Sequence, residues 1–382
     1  MRIYLDHNAT TPLRPEVLEA MCAALRDLPG NPSSTHAEGA AARAALEQAR
    51  AQVAAAIGAA PGTILFTSGA TESNNTALAG CLRAAEAAGR REIVTSCVEH
   101  PSVSEPLSAL EQRGWRVQRL AVHRDGLLDP DLFAAALGAH TALAAILWAN
   151  NETGVVQPAG KLVEIARARG VPIHLDATQC IGKLPVDVQA LGVDSLAASG
   201  HKQNGPKGVG LLYVRPGAAF EPLLRGGPQE RRRRGGTENL AGIVGLGVAC
   251  ELARREGSER AARAAALRDR LWEGIASKIP GAQRNGSTQA MLPNTLNVRL
   301  PGVAGDVLLE ALDLEGVAVS AGAACHSGSV EPSRILLAMG LSEQEARSSL
   351  RFSVGHGVDE AQIERVLTLL PDLVARVRAA VP

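Results

Sequence analysis

The stretch that decides the fold is residues 172–214, which read PIHLDATQCIGKLPVDVQALGVDSLAASGHKQNGPKGVGLLYV. It contains three short, mainly apolar runs, bounded by Gly, Pro and Asp, a pattern typical of strands buried on both faces of a sheet. Polar groups follow two of these runs, with Asp176 closing the first and Lys202 following the second. The three predicted strands are 172–176, 195–198 and 210–214.

The same alternation extends outward over residues 36–215. Ala-rich and amphipathic stretches predict helices at 36–57 and 158–169, and Gly58 ends the first of them. Short apolar strands that alternate with helices indicate a mostly parallel sheet covered by helices on both faces, an α/β fold. The further predicted strands are 63–67, 92–95, 116–122 and 143–149.

The rest of the chain predicts a second unit. A glycine- and arginine-rich loop at 226–236 precedes a helix predicted for 242–275, with a polar interruption near Glu256 and Gly257. Residues 293–382 carry strand and helix patterns of their own, typical of a smaller α+β domain. We therefore expect a large domain of residues 16–255 and a small domain of residues 1–15 and 256–382.

Composition excludes several classes of protein. Lys plus Arg and Asp plus Glu both number 39, so no net charge attracts nucleic acid or an anionic membrane. Arg231–Arg234 is the one dense basic patch, and no aromatic residues interleave with it. No apolar run approaches the length of a membrane span, and the N-terminus lacks the apolar core of a signal peptide. The six scattered cysteines indicate free thiols in a cytoplasmic protein.

Polar clusters follow several of the predicted strands. Because ligands bind at the carboxyl ends of the strands in such sheets, we expect these clusters to converge on one site. Cys97 and His100 form a single C-x-x-H without a second half, so no metal site is expected. The clusters are 68–71, 99–100, 150–152, Asp176 and 199–202.

Lys202 and Asp176 point to pyridoxal phosphate. A deprotonated lysine condenses with an aldehyde, and Lys202 follows a predicted strand beside Ser199, Gly200 and His201. A carboxylate at the end of an apolar strand needs a partner, which a protonated pyridine nitrogen supplies. The alternatives are a solvated surface lysine and an aspartate that caps the following turn.

Residues 68–73 (SGATES) open a helix predicted to run to about residue 88. Small residues, hydroxyl groups and the free N–H groups of a helix N-terminus suit a phosphate, although such residues also cap most helices. The chain has no Walker A lysine pattern and no G-x-G-x-x-G after its first strand, which disfavours ATP and dinucleotides.

Cys325 lies in the run SAGAACHSG at 320–328. The small side chains of this run cannot pack a core, so we expect an accessible nucleophile in a loop. Only about 3% of an ordinary thiol is ionised at pH 7, so a local group must lower its pKa, and His326 is one candidate.

These segments together resemble the cysteine desulfurases of the NifS/IscS type, which are class-V aminotransferase-like enzymes of PLP fold type I. The resemblance spans nearly the whole chain with its motifs in order, although His7 stands where the family usually has Asn and Ala70 where Gly is commoner. The matching runs are 4–12 (YLDHNATTP), 30–34 (GNPSS), 66–75 (FTSGATESNN), 150–154 (NNETG), 176–179 (DATQ), 199–208 (SGHKQNGPKG), 234–237 (RGGT), the Cys325 loop and 349–353 (SLRFS).

The resemblance implies a role for individual residues. Lys202 would form the Schiff base and move protons, and His100 would stack on the ring and share in catalysis. Asn151 and Arg351 would hold the substrate carboxylate, and Cys325 would attack the substrate sulfur. The other cofactor contacts implied are Asp176 at the pyridine nitrogen, Gln179 at the ring oxygen, and Ala70, Thr71, Ser199, His201 and, from the second subunit, Thr237 near the phosphate.

The activity implied is the conversion of L-cysteine to L-alanine with a persulfide left on Cys325. The expected partners are a second copy of the chain and sulfur acceptors such as an iron–sulfur scaffold or the machinery of tRNA thiolation. A selenocysteine lyase and a class-V PLP transaminase are the enzymatic alternatives. A non-catalytic scaffold with the same fold is disfavoured because both Lys202 and Cys325 are present.

Overall fold

The computed structural model describes residues 2–321 and 331–380, and its strands form one large sheet and two small ones. The large sheet has the strand order β2-β8-β7-β6-β5-β3-β4. The strands are β1 (Ile3–Tyr4), β2 (Ile64–Thr67), β3 (Glu92–Ser96), β4 (Arg116–Leu120), β5 (Thr141–Leu147), β6 (Ile173–Asp176), β7 (Ser195–Ser199), β8 (Gly210–Val214), β9 (Gln283–Arg284), β10 (Thr295–Arg299), β11 (Val317–Ala318) and β12 (Ser349–Ser353).

The large sheet confirms the predicted mostly parallel architecture. Strands β4, β3, β5, β6 and β7 run parallel to one another, whereas β8 is antiparallel to both β7 and β2. The predicted strands agree with the observed ones to within about two residues at each end, the usual uncertainty of strand boundaries.

Helices connect these strands and continue beyond them. Their bounds are α1 (Pro15–Asp27), α2 (Ala37–Ala56), α3 (Ala70–Ala87), α4 (Pro101–Glu111), α5 (Pro130–Ala136), α6 (Ala159–Ala168), α7 (Val188–Leu191), α8 (Gln229–Arg232), α9 (Leu240–Lys278), α10 (Gly305–Leu314), α11 (Arg334–Ala338), α12 (Glu343–Arg347) and α13 (Glu360–Ala380), with short 3₁₀ turns at Pro61–Thr63 and Gly200–Lys202.

Both faces of the large sheet are covered, as the continuous burial of its central strands indicates. In β5, Ala144 and Ile146 belong to a core shared with α2, α6 and α9, whereas Leu143 and Ala145 face α3 and α4. Successive residues of a strand point to opposite faces, so every position in β5 is buried.

A second core lies under the antiparallel sheet β12-β10-β9. It combines residues of that sheet with α10, α13 and the last turns of α9, and Ile3 and Leu5 join it from the N-terminal segment. This is the smaller α+β unit that the tail of the sequence predicts. The exact boundary at residues 255 and 256 stays a prediction.

Helix α9 corrects one expectation. The predicted polar interruption at Glu256 and Gly257 does not occur, and the helix runs unbroken from Leu240 to Lys278. Its residues up to Ala253 pack in the first core and those from Leu267 onward in the second, so the polar stretch spans the part of the helix between two cores. Within the described residues, no helix is long and apolar enough to cross a membrane.

The fold places the start of α3 against the large sheet. Gly69, immediately before α3, has φ +154, and a Cβ on Gly210 would lie 2.7 Å from its Cα. Glycine is therefore required at positions 69 and 210, where this turn crosses β8. The first turn of α3 consequently lies beside the ends of β6 and β7.

Candidate active site

A cavity of about 600 Å³ lies at the carboxyl ends of the parallel strands. This volume is typical of sites for small molecules and cofactors. Nine of the twelve residues predicted for the site line it, although their roles stay predictions. These nine are Ala70, Thr71, His100, Asn151, Asp176, Gln179, Ser199, His201 and Lys202.

Lys202 ends the short 3₁₀ turn that follows β7. Its Nζ donates to the main-chain oxygens of Asn8 and Ala9, both at 2.7 Å. Burial, helped by the positive charge of Arg351, lowers its pKa from 10.5 to about 8. About a tenth of such an amine is neutral at pH 7, against fewer than about one in a thousand for an ordinary lysine. The amine is therefore suited to attack an aldehyde.

Asp176 lies at the end of β6 and is 2% exposed. Its Oδ1 accepts hydrogen bonds from the backbone and hydroxyl of Thr178, and its Oδ2 accepts one from Nδ2 of Asn74 at 2.7 Å. The carboxylate thus caps the turn that follows β6, which was the alternative predicted for it, and it also lines the cavity. A buried carboxylate that accepts hydrogen bonds from neutral donors is suited to pair with a cation in the cavity.

Asn74 connects Asp176 to two histidines. Nδ2 of Asn74 also donates to Oγ of Ser102 at 2.8 Å. The hydroxyl of Ser102 forms a further hydrogen bond with Nδ1 of His100, also at 2.8 Å. Its Oδ1 accepts from Nε2 of His174 at 2.9 Å, and burial lowers the pKa of His174 to about 4. Sequence reasoning assigned Asn74 no role although it lies in a matching motif.

His100 precedes α4 and serves as its N-cap, because Nδ1 also accepts from the backbone N–H of Ser102 at 3.1 Å. Desolvation of the ring lowers its pKa below the ordinary histidine value. Since Nδ1 is the acceptor in the neutral ring, the proton sits on Nε2. His100 thus presents a neutral aromatic ring that lines the cavity.

The other end of the cavity suits an anion. Thr71 lies in the first turn of α3, where free backbone N–H groups and the helix dipole favour negative charge. His201 bonds Oγ1 of Thr10 at 3.2 Å, and desolvation lowers its pKa to about 4, so it is a neutral donor. Glu72 on the same turn is paired with Arg234 at 2.9 Å, which offsets its charge.

Arg351 on β12 is 4% exposed but does not line the cavity. Its Nη2 pairs with Oδ1 of Asp6 at 2.5 Å, and its Nη1 donates to the main-chain oxygen of Asn151 at 3.1 Å. Its Nε is buried without a hydrogen-bond partner in the described part of the chain. The ion pair between Arg351 and Asp6 is therefore largely buried, with side-chain exposures of 5% and 20%.

Gln179 belongs to a group around Asn8 that sequence reasoning missed. Its Nε2 donates to the main-chain oxygen of Asn8 at 2.9 Å, and its Oε1 accepts from Nζ of Lys183 at 2.5 Å. Asn8 also donates through Nδ2 to the main-chain oxygen of Asn151 at 3.0 Å. Asn8 stands in a matching motif, whereas no signal in the sequence distinguishes Lys183 from a surface lysine.

Besides Arg351, one further predicted residue does not line this cavity, and one lies outside the described residues. Thr237 is exposed and does not line it, and Cys325 lies outside the described residues. Burial raises the pKa of four described cysteines above the usual value, to about 12 for Cys81 and Cys250. The other two are Cys97 and Cys180. In the described ranges no group of His, Cys, Asp and Glu is arranged to hold a metal ion.

Comparison with known proteins identifies relatives of the whole chain. The class-V aminotransferase family model matches residues 3–366. A cysteine desulfurase of Enterobacter agglomerans is 45% identical over 381 residues, covering 100% of this chain and 94% of its own length. One from Cereibacter sphaeroides is 46% identical over 383 residues, with 100% and 98% covered.

Solved structures show the same fold over nearly the full length. A NifS-like protein superposes with a TM-score of 0.93 at 35% identity, covering 98% of this chain and 100% of that one. SspA in complex with cysteine superposes with a TM-score of 0.82 at 36% identity, covering 93% of this chain and 99% of that one.

Proposed function

This chain belongs to the class-V aminotransferase family and is a cysteine desulfurase, and we propose that it works through pyridoxal phosphate held by Lys202 and a persulfide formed on Cys325. The single observation that carries the cofactor proposal is the pairing of Lys202, whose pKa is lowered to about 8, with the buried carboxylate of Asp176 in one cavity. The family is PLP-dependent, which supports the same proposal.

The residues present fit pyridoxal phosphate. The cavity, about 600 Å³, joins a reactive amine, a buried carboxylate and a helix N-terminus, which match the aldehyde, the pyridine nitrogen and the phosphate. Lys202 would hold the aldehyde carbon and Asp176 the protonated ring nitrogen. Thr71, Ser199 and His201 would hold the phosphate beside Ala70. Thr237, exposed in the single chain, would reach the phosphate of a second copy in a homodimer.

When bound, pyridoxal phosphate supplies an electron sink for the Cα of an amino acid. Lys202 would take and return the proton at that carbon, since its amine titrates near neutral pH. His100 would cover one face of the ring with its neutral imidazole, and Gln179 would donate to the ring oxygen. Arg351 and Asn151 would hold the substrate carboxylate and so orient the molecule for reaction.

The sulfur step we propose for Cys325 balances without a further reagent. The Cβ–S bond of L-cysteine breaks, an S–S bond forms between that sulfur and the sulfur of Cys325, and the carbon skeleton gains a proton and leaves as L-alanine. The four described cysteines with raised pKa support this choice, because burial suppresses their thiolates.

The test compares C325A with C22A, which removes an exposed cysteine on α1. The wild-type chain and C22A should be yellow when loaded and should form alanine and a persulfide detectable by mass spectrometry. C325A should stay yellow and form neither. Sulfur release by C325A at the wild-type rate would reject Cys325, and a wild type that stays colourless with added PLP would reject the cofactor. Release of selenium but not sulfur would favour the selenocysteine lyase.

The sulfur carried by Cys325 then needs an acceptor. We propose an iron–sulfur scaffold protein or the tRNA thiolation machinery, with the enzyme acting as a cytoplasmic homodimer. The zero formal net charge supports a protein acceptor over direct binding of RNA, since no long-range field attracts a polyanion. Capture of the persulfide sulfur by a purified scaffold protein, measured by mass spectrometry, tests this choice.

A further inference from the structure

Lys183 lies in the wall between two cavities and has no part in the roles proposed above. It lines a second cavity of about 340 Å³ but not the cofactor cavity. Lys202 lines both cavities, and Gln179 lines only the first. The Lys183 side chain therefore reaches Gln179 from behind, away from the space where a ligand would bind.

The bond between Lys183 and Gln179 determines which way the amide points. Nζ of Lys183 lies 2.5 Å from one end of the amide and 3.3 Å from Oδ1 of Asn8, whereas the other end of the amide lies 2.9 Å from the main-chain oxygen of Asn8, which only accepts. The amide end that faces Lys183 must therefore be the oxygen Oε1. The NH₂ end is directed to the main-chain oxygen of Asn8, and its second hydrogen is left for an acceptor in the cavity.

Lys183 also has an unusual charge environment. None of the carboxylates described lies within ion-pair distance of its amine, and burial together with the charge of Lys202 lowers its pKa from 10.5 to about 7. The charged or titratable groups that face it come from several elements. They are His7 on the N-terminal segment, Cys180 on its own segment, Lys202 after β7, Arg260 on α9 and Arg351 on β12.

We propose that Lys183 is a positioning residue, which fixes the amide of Gln179 so that an N–H donates to the ring oxygen of bound pyridoxal phosphate. This inference rests on the proposed function, because it needs the cofactor in the cavity. In its protonated form Lys183 also places positive charge behind that oxygen and near Lys202. Both effects favour the deprotonated ring oxygen and weaken the hold on a proton at the nitrogen of Lys202.

The test is a spectroscopic titration of the loaded protein. The K183M variant keeps the length of the side chain, and removing a buried amine without a counter-ion should cost little stability. In K183M the ring oxygen loses its oriented donor and the Lys202 nitrogen loses a repelling charge. We expect the apparent pKa of the colour change to rise by about half a unit or more. K183R, which restores a charged donor, should return the pKa toward the wild-type value.

Two controls make the result specific. K161M removes an exposed lysine on α6 and should leave the pKa of the colour change unaltered. In a Q179A background, K183M should have at most half of its effect, because Lys183 acts through the missing amide. A folded, yellow K183M with the wild-type pKa would overturn the proposal, as would an undiminished shift in Q179A. A colourless wild type would instead reject the proposed function.

Discussion

The R351A variant is expected to lose affinity for L-cysteine while keeping its cofactor. The guanidinium of Arg351 has one N–H in use with Asp6, one with Asn151, and a buried Nε without a partner among the described residues. In the proposed complex a substrate carboxylate would accept a hydrogen bond from this guanidinium and share its charge. Each hydrogen bond to a charged group contributes about 1.5–3 kcal/mol, so losing one lowers kcat/KM by about 10- to 150-fold.

Asp6 places the expected value near the lower end of that range. It lies 2.5 Å from Nη2 of Arg351 and already offsets part of the positive charge that a substrate would use. In R351A the carboxylate of Asp6, about 20% exposed, can be reached by water, so the variant should still fold. R351K keeps a charge but cannot form the two-pronged contact, and it should fall between the wild type and R351A.

The assay is alanine formation at cysteine concentrations from well below to well above KM, with colour and thermal unfolding recorded on the same samples. R270Q, which removes an exposed arginine on α9, is the matched control and should behave as the wild type. A yellow, stable R351A whose KM and kcat/KM stay within about threefold of the wild type would refute the placement of the carboxylate, because even one charged hydrogen bond exceeds that.

Three further predictions concern the cofactor cavity and the fold. The rate at which apoprotein takes up PLP, measured by absorbance, should rise with pH and level off above about pH 8, because the neutral amine of Lys202 reacts. A rate that keeps rising to pH 10.5 would contradict the lowered pKa. D176A should weaken PLP binding, whereas the control D6A should leave it intact. D176A should also destabilise the apoprotein, measured by urea unfolding, by about 1–3 kcal/mol for each hydrogen-bond donor left unpaired. E230A should destabilise the protein by about 3–5 kcal/mol because it removes the buried carboxylate that pairs with Arg50. E47A, which removes the exposed partner of the same guanidinium, should cost far less, and equal losses would show the buried pair to be unimportant.

The sequence predicts the parts of the site that follow from strand order. Asp176 and Lys202 each follow a short apolar run, and parallel strands end at the same edge of a sheet. Their convergence therefore needs no knowledge of distant contacts. Thr71 could be predicted for the same reason, since it follows a strand and opens a helix.

Residues that act through partners far along the chain could not be predicted in the same way. Lys183 looks like a surface lysine until the fold brings it beside Asn8, 175 positions away. Glu230 adjoins a run of arginines, yet its carboxylate is buried and bound to Arg50, 180 positions away. Local composition describes solvent exposure on average, and only tertiary packing decides which of several similar charges is buried.

The different roles proposed for Lys202 and Cys325 explain why the fold and the cofactor alone do not determine the substrate. In the proposed roles, the amine of Lys202, the carboxylate of Asp176 and the helix N-terminus would serve many reactions of amino acids, because each would act on the cofactor or on Cα. Breaking the Cβ–S bond with transfer of the sulfur requires a nucleophile for that sulfur, and burial suppresses the thiolates of four described cysteines. If Cys325 is that nucleophile, replacing it must abolish persulfide formation while the pH dependence of PLP uptake by Lys202 stays unchanged.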